Sequence, residues 1–363
     1  MDRYFYFDDI FEDYTKYSLK ISKSLYLKSG LYPIIDQGKE EIAGYSDKNI
    51  NIFDKIPVII FGDHTRIFKY VDYPFFSGAD GVKILKNTSS LFLDKYLYYS
   101  LKNFKIPNTG YNRHFKWLKD FKIKYISLAK QEKIVSLIEK IKYFILKKKE
   151  QLKYLKKLNK SLFIRMFGDP LTNDRIEWKF SKIKNIGKII SGSTPNTNTP
   201  ELWNGDYLWI TPAELKDDSF IVNSTERKLT YLGIKNSSLI EMPIGTVLLS
   251  SRAPIGKVAI VGKNMFCNQG FKNIIPNEEI NSIYLYYILK EKKEYLNFLG
   301  RGATFKELSK EIVENISLKI PPIELQNKFA ERVEKIEKLS FEIEKSIKEA
   351  ENLYNSLMSK YFD

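Results

Sequence analysis

Residues 131–169 read QEKIVSLIEKIKYFILKKKEQLKYLKKLNKSLFIRMFGD, and residues 326–363 read QNKFAERVEKIEKLSFEIEKSIKEAENLYNSLMSKYFD. The two stretches align without a gap. Gln131 falls on Gln326 and Ser161-Leu162 on Ser356-Leu357, each pair 195 residues apart. The sequence before each stretch also matches, Phe115-Lys116-Trp117-Leu118 against Phe305-Lys306-Glu307-Leu308. This period is far too long for a solenoid repeat. It predicts one unit written twice, a globular domain followed by a long helix.

Between Gln131 and Phe167 there is neither Gly nor Pro. Apolar residues recur at Ile134, Leu137 or Ile138, Ile141, Phe144, Leu152, Leu155, Leu158 and Leu162. The second stretch gives Val333, Ile336, Leu339, Ile343, Ile347, Ala350, Leu353 and Leu357. Steps of three and four mark an amphipathic helix with a coiled-coil-like seam. At the usual rise per residue each helix would span on the order of 55 Å and cannot bury its seam alone. Gly168-Asp169-Pro170 closes the first helix, and Pro321-Pro322 opens the second. The first lacks that proline pair, which predicts a softer start. Net charge is +8 over residues 128–170 and −2 over 321–363. This complementarity favours an antiparallel pair within one chain, holding two domains at opposite ends about a rough two-fold axis. The alternative is a pair of independent helices, each lying on its own domain.

The domains read as mixed α and β. In the first, Pro57 to Phe61 is a buried strand closed by Gly62-Asp63, and Pro74 to Leu85 is strand, turn, strand. Leu91 to Leu101 has helical spacing. The second repeats this with strands at Gly245–Leu249, Lys257–Val261 and Asn273–Pro276 and a helix over Ile283–Phe298. The fold class is therefore α+β, with domain one at 1–127, a helical spacer at 128–170, domain two at 171–320 and a second spacer at 321–363.

Composition narrows the function classes. With 363 residues, 43% hydrophobic and 14% aromatic, the chain can bury two cores. No apolar run approaches the roughly 20 residues that span a bilayer, which argues against a membrane partner. The start, MDRYFYFDDIFEDY, is too acidic for a signal peptide. The single Cys267 makes no internal disulfide, and these features point to the cytoplasm. A net charge of +15 favours a polyanionic partner, nucleic acid first. With two histidines and one cysteine there is no zinc-ligand spacing. Pro254-Ile255-Gly256-Lys257 lacks the rest of a phosphate-binding loop, and the only Pro-Pro heads a helix instead of an amino-methyltransferase motif. Phe298-Leu299-Gly300-Arg301-Gly302 fits the glycine pattern of a methyl-donor loop but follows a helix, so Gly300 reads as a helix end. No cofactor, no metal and no catalytic residue is expected of this chain.

The pattern resembles the DNA-specificity subunit of type I restriction–modification systems over essentially the whole chain. Tyr32 to Gly38, Gly44 to Asp47 and Phe61 to Arg66 carry the likeness in the first domain. Ser191 to Pro195, Trp203 to Asp206, Trp209 to Pro212 and Ser250 to Gly256 carry it in the second, and Ile320 to Gln326 is the family's usual helix start. The resemblance implies two target-recognition domains on double-stranded DNA. It implies two methyltransferase subunits docked on the helices, and restriction/translocase subunits that hold the ATPase and nuclease activities.

Base reading needs Arg, Asn, Gln, Lys or carboxylates on loops that reach a groove. His64, Thr65 and Arg66 follow the first buried strand, and Ser251 and Arg252 follow its second copy. The alternative is that Asp63 caps a turn and the arginines are solvated. Thr109 to His114, with Tyr111, Asn112 and Arg113, pairs with Arg301 to Thr304, each set just before a Phe-Lys segment, where glycine permits close backbone approach; a structural turn is the alternative. Gln37, Lys39 and Gln269 complete the set, with plain turns as the alternative. Two other readings stay open: an autonomous DNA-binding regulator, and a self-contained modification enzyme, for which no donor loop is visible.

Overall fold

How each long helix begins is fixed by one buried amide. Gln131 and Gln326 are both fully shielded from solvent. Gln131 Oε1 accepts from Leu93 N–H at 2.8 Å, while its Nε2 donates to Leu91 O at 2.8 Å and Ile126 O at 2.9 Å. Gln326 repeats the arrangement with Asn281 N–H at 2.9 Å, Glu279 O at 3.1 Å and Pro321 O at 2.8 Å. In each copy the amide ties the first turn of the long helix to the start of a shorter helix earlier in the domain, Asp94–Asn103 or Ser282–Glu291. The long helices run Leu128–Phe167 and Ile323–Phe362, 40 residues each. The expected softer start is not seen. Ser127 O accepts from Lys130 and Gln131 as Pro322 O does from Leu325 and Gln326.

The computed structural model describes residues 3–78, 81–110, 112–169, 178–252, 254–300 and 307–363. The readings at Tyr111, Arg301 and Thr304, and the Phe305-Lys306 match, lie outside them. The chain divides into two units, residues 1–150 with 344–363, and residues 151–343. No helix among the described residues is long and apolar enough to cross a membrane.

The first unit is built on a four-stranded antiparallel sheet in the order Phe11–Asp13, Val82–Asn87, Val58–Gly62, Phe68–Val71. A smaller sheet has Tyr32–Ile35 between Gly44–Ser46 and the parallel strand Phe76–Ser77. The central strand is buried on both faces and alternates between two cores. Ile59 and Phe61 join the cluster around helix Asp94–Asn103, while Val58 and Ile60 join Ile35, Phe53 and Phe75.

The second unit has the same plan, with an added edge strand. Its large sheet runs Gly187–Ile190, Asn273–Pro276, Val247–Leu249, Val258–Val261, Ile221–Val222, the last pairing parallel. Its small sheet has Trp203–Ile210 between Arg227–Leu229 and the parallel strand Phe266–Cys267. The registers coincide. Ile59 faces both Tyr70 and Leu85, and Val247 faces both Ile260 and Ile274. The helix expected over Ile283–Phe298 is two helices, Ser282–Glu291 and Lys293–Leu299, because the backbone of Lys292 (φ −89°, ψ 13°) leaves the helical path.

Within each unit the parts of the two long helices run antiparallel. In the first, Ile134 and Ile138 share a core with Met358, and Lys149 meets Glu351 at 2.7 Å. In the second, Phe163 and Phe167 pack edge-on against Phe329, and Asn159 Nδ2 donates to Glu337 at 2.7 Å. The seam differs from the sequence reading in places. Leu158 and Leu339 are exposed, and their neighbours Asn159 and Ser340 are buried instead. Phe144 and Leu353 are exposed as well. A helix of 3.6 residues per turn drifts against a 3.5-residue repeat, so the inward face moves on by one position.

Gln131→Ala is expected to remove a buried side chain and its three hydrogen bonds to partly buried backbone groups, and to destabilise the first unit by about 2–4 kcal/mol. Gln326→Ala should act likewise on the second. Urea unfolding followed by hydrogen exchange resolves the two, and protection unchanged in both units would refute the role of the amides.

Candidate functional site

The loops singled out in the first domain meet around Asp63, which is 4% exposed. The hairpin of Val58–Gly62 and Phe68–Val71 turns through residues 63–66, closed by Gly62 N–H to Ile67 O at 2.9 Å. Asp63 N–H donates to Gly81 O at 2.7 Å, and Asp63 O accepts from His114 N–H at 2.9 Å. His114 is fully buried. Its Nδ1 lies 3.0 Å from the same carbonyl. A carbonyl only accepts, so Nδ1 carries the proton there. The carboxylate of Asp63 accepts from Phe115 N–H at 2.7 Å. Thus the hairpin turn and the loop before Phe115 are clasped together.

The loop after Tyr32–Ile35 joins them. Gln37 Oε1 accepts from His64 N–H at 3.2 Å, and Thr65 Oγ1 donates to Gln37 O at 2.6 Å. Arg66 takes a left-handed backbone (φ 61°), with Nη1 reaching Ile106 O at 3.4 Å. Lys39, Asn112 and Arg113 are exposed on these same loops. Packing here leaves no room at Gly62, where a Cβ would come within 2.9 Å of Gln37 Cβ and 2.1 Å of Thr65 Oγ1.

The second unit builds the same clasp from other side chains. Ser251 N–H donates to Gly270 O at 2.8 Å, and Ser251 O accepts from Leu308 N–H at 2.8 Å, matching the bonds of Asp63. The Ser251 side chain is fully buried. The turn is longer, closed by Ser250 N–H to Lys257 O at 2.9 Å across residues 251–256. Arg252 therefore stands near the start of its turn, where Arg66 stands at the end. Arg252 Nε contacts Glu307 at 3.0 Å, and Lys272 Nζ contacts its other oxygen at 3.3 Å. Partial burial pushes the Glu307 carboxyl up, but hydrogen bonds from Arg252 and Lys272 outweigh it and leave the pKa below the ordinary value. Gln269 is exposed and accepts from Thr194 Oγ1 at 2.7 Å.

Sequence reasoning missed the supports. His114 and Asp63 were seen only as members of separate loops. The loop carrying Thr194 is held by two indole donors, Trp203 Nε1 to Asn196 O at 3.0 Å and Trp209 Nε1 to Ser193 O at 3.1 Å. Arg227 lies 3.5 Å over the Trp203 ring. The recurrence of Trp, Asn and Pro in 193–212 was the available signal. Gly300 ends helix Lys293–Leu299, as its position implied, and Ile255 Cδ1 would lie 2.4 Å from a Cβ there. No group of His, Cys, Asp and Glu able to hold a metal occurs among the described residues.

Residues 175–351 match the family described as type I restriction modification DNA specificity domain. A type I restriction enzyme specificity subunit of Escherichia coli is 26% identical over 353 residues, covering 91% of this chain and 85% of that protein. In sequence the chain is similar to the specificity subunits of type I restriction–modification systems. A specificity subunit from Methanocaldococcus jannaschii is 44% identical over 157 residues, covering 42% of this chain but 36% of that protein. The crystal structure of the S subunit of a type I restriction–modification system from M. genitalium has the same fold, with a TM-score of 0.68 at 17% identity over 100% of this chain and 96% of that one.

Gly62→Ala is expected to force the Gln37 loop off the hairpin turn at a cost of about 1–3 kcal/mol. Amide chemical-shift changes should concentrate at residues 36–39 and 63–66. Shifts confined to Gly62 and its chain neighbours would show that the loops do not interlock.

Proposed function

We propose that this chain is a type I specificity subunit that reads DNA through the two clasped loop sets, one half of an asymmetric bipartite target per domain. The observation that carries this reading is the clasp built twice on one hydrogen-bond frame with unlike side chains, Asp63, His64, Thr65 and Arg66 against Ser251 and Arg252. A shared frame presents loops at equivalent places, and different side chains select different bases. The recognition domains are residues 1–127 and 171–320, and the spacers 128–170 and 321–363 set the gap between half-sites. Gln37, Lys39, Asn112, Arg113 and Gln269, with Tyr111, Arg301 and Thr304, complete the contact set.

The chain carries no chemistry of its own in this reading. Methyl transfer belongs to two methyltransferase subunits, and ATP-driven translocation and cleavage to restriction subunits, in the cytoplasm. Exposed apolar residues on the long helices suit such docking. They include Tyr143, Phe144 and Leu146 in the first unit and Tyr154, Leu158 and Phe341 in the second. The basic composition supports phosphate contact.

Mapping methylated positions in the source genome, with and without the gene, tests the proposal. A bipartite motif that vanishes with the gene is expected, and methylation unchanged by deletion would overturn it. Tight sequence-specific binding by the chain alone, with no methyltransferase co-purifying, would favour an autonomous regulator.

Arg66→Ala and Arg252→Ala should each relax recognition at one half-site, costing roughly 1–3 kcal/mol where the contact is bidentate to a base. Equal loss on every sequence would mark a phosphate contact instead. Removing seven residues from one long helix should alter the gap and leave the bases unchanged. An unaltered gap would refute the spacer role.

A further inference from the structure

Two lysines that neither half-site assignment uses perform the same act from different places. Lys69, on strand Phe68–Val71, is 2% exposed. Its Nζ donates to Glu40 O at 2.5 Å and lies 3.7 Å from the Asp36 carboxylate. Residues 36–40 form the loop after Tyr32–Ile35, which carries Gln37 and Lys39. In the second unit Lys257 Nζ donates to Leu215 O. Leu215 closes the loop after Trp203–Ile210, the strand that corresponds to Tyr32–Ile35, since both pair parallel with their small sheet's last strand. The same loop is thus fastened at its far end in both copies.

The two lysines are not equivalent in sequence. Ile60 faces Lys69 across the hairpin, and Leu248 faces Ala259. Gly62 bonds to Ile67, and Ser250 to Lys257. Lys69 therefore corresponds to Ala259, and Lys257 to Ile67. Positions two apart on a strand share a face, about 7 Å along it, a shift that a four-carbon stem can span. A buried ammonium is costly to desolvate. Ala259 at the equivalent place shows that the sheet itself has no need of one. What both copies retain is the bond to the loop.

We infer that Lys69 and Lys257 are positioning residues for the two reading surfaces, each strapping the loop after the small sheet's central strand against the hairpin that bears Arg66 or Arg252. Neither contacts DNA; each sets where its loop stands. The inference rests on the proposed function above and adds that each strap governs one half-site.

The test expresses the chain with its methyltransferase partner in a host free of similar modification and maps methylated positions by sequencing. Lys69→Met should lower discrimination at one half-site by roughly tenfold to a hundredfold and leave the other intact. Lys257→Met should do the converse. Ile67→Lys combined with Lys69→Ala, which moves the lysine to the place it holds in the second copy, should restore the first half-site. Lys257→Ile with Ala259→Lys should restore the second. Melting temperatures of the complexes accompany each measurement: discrimination lost at an unchanged melting temperature is expected, and discrimination that falls only in step with the melting temperature would mark a merely structural role. Motifs unchanged in both methionine variants, or equal loss at both halves, would overturn the strap. If Lys69→Met does not fold, Lys257→Met and the relocated pairs decide. A wild-type chain that yields no bipartite motif would instead overturn the functional reading beneath it.

Discussion

The structure depends on one buried side-chain amide at the root of each long helix. Gln131 and Gln326 are themselves fully buried, and each bonds three backbone groups. They do so at the junction where a globular domain becomes a helix. A helix of 40 residues with one end undefined could rotate about its own axis, and every residue on it would then face a new direction. The amide removes that freedom, because its donors and acceptors point to fixed carbonyls and N–H groups on the domain. Helix azimuth is set at the start, and the apolar residues follow: Ile134 and Ile138 in one unit, Phe329 and Val333 in the other.

Much of this was legible in the chain because repetition is a strong signal. The 195-residue offset placed Gln131 on Gln326 before any geometry was known, and those two residues make the same bonds. Strands such as Val58–Gly62 and Val247–Leu249 declared themselves as short apolar runs, since a strand covered on both faces has no polar side to show. The seam residues were less legible. Periodicity alone cannot tell Leu158 from Asn159 as the inward residue when helix and repeat have different periods. Burial of Asn159 is decided by Glu337, far away in sequence.

The site was legible as loops and illegible as an assembly. Asp63 to Arg66 and Thr109 to His114 stood out separately, yet nothing local says that His114 grips the carbonyl of Asp63. Lys69 reads as an ordinary strand lysine until its stem is found inside the fold. Burial lowers its pKa, only partly offset by Asp36 and Glu41, and that penalty has no signature in the sequence. Long-range hydrogen bonds are where single-chain reading runs out.

The two hairpins share stems in identical register but carry turns of unequal length, residues 63–66 in one and 251–256 in the other. The backbone of each turn's first residue, Asp63 or Ser251, carries an equivalent pair of bonds, whereas the residues beyond are held differently: His64 and Thr65 by the Gln37 loop, and Ile255 by the core of the second unit. A changed tip must therefore be met by its supports, the Gln37 loop in one unit and the helix end at Gly300 beside Ile255 in the other, so tip and support change together.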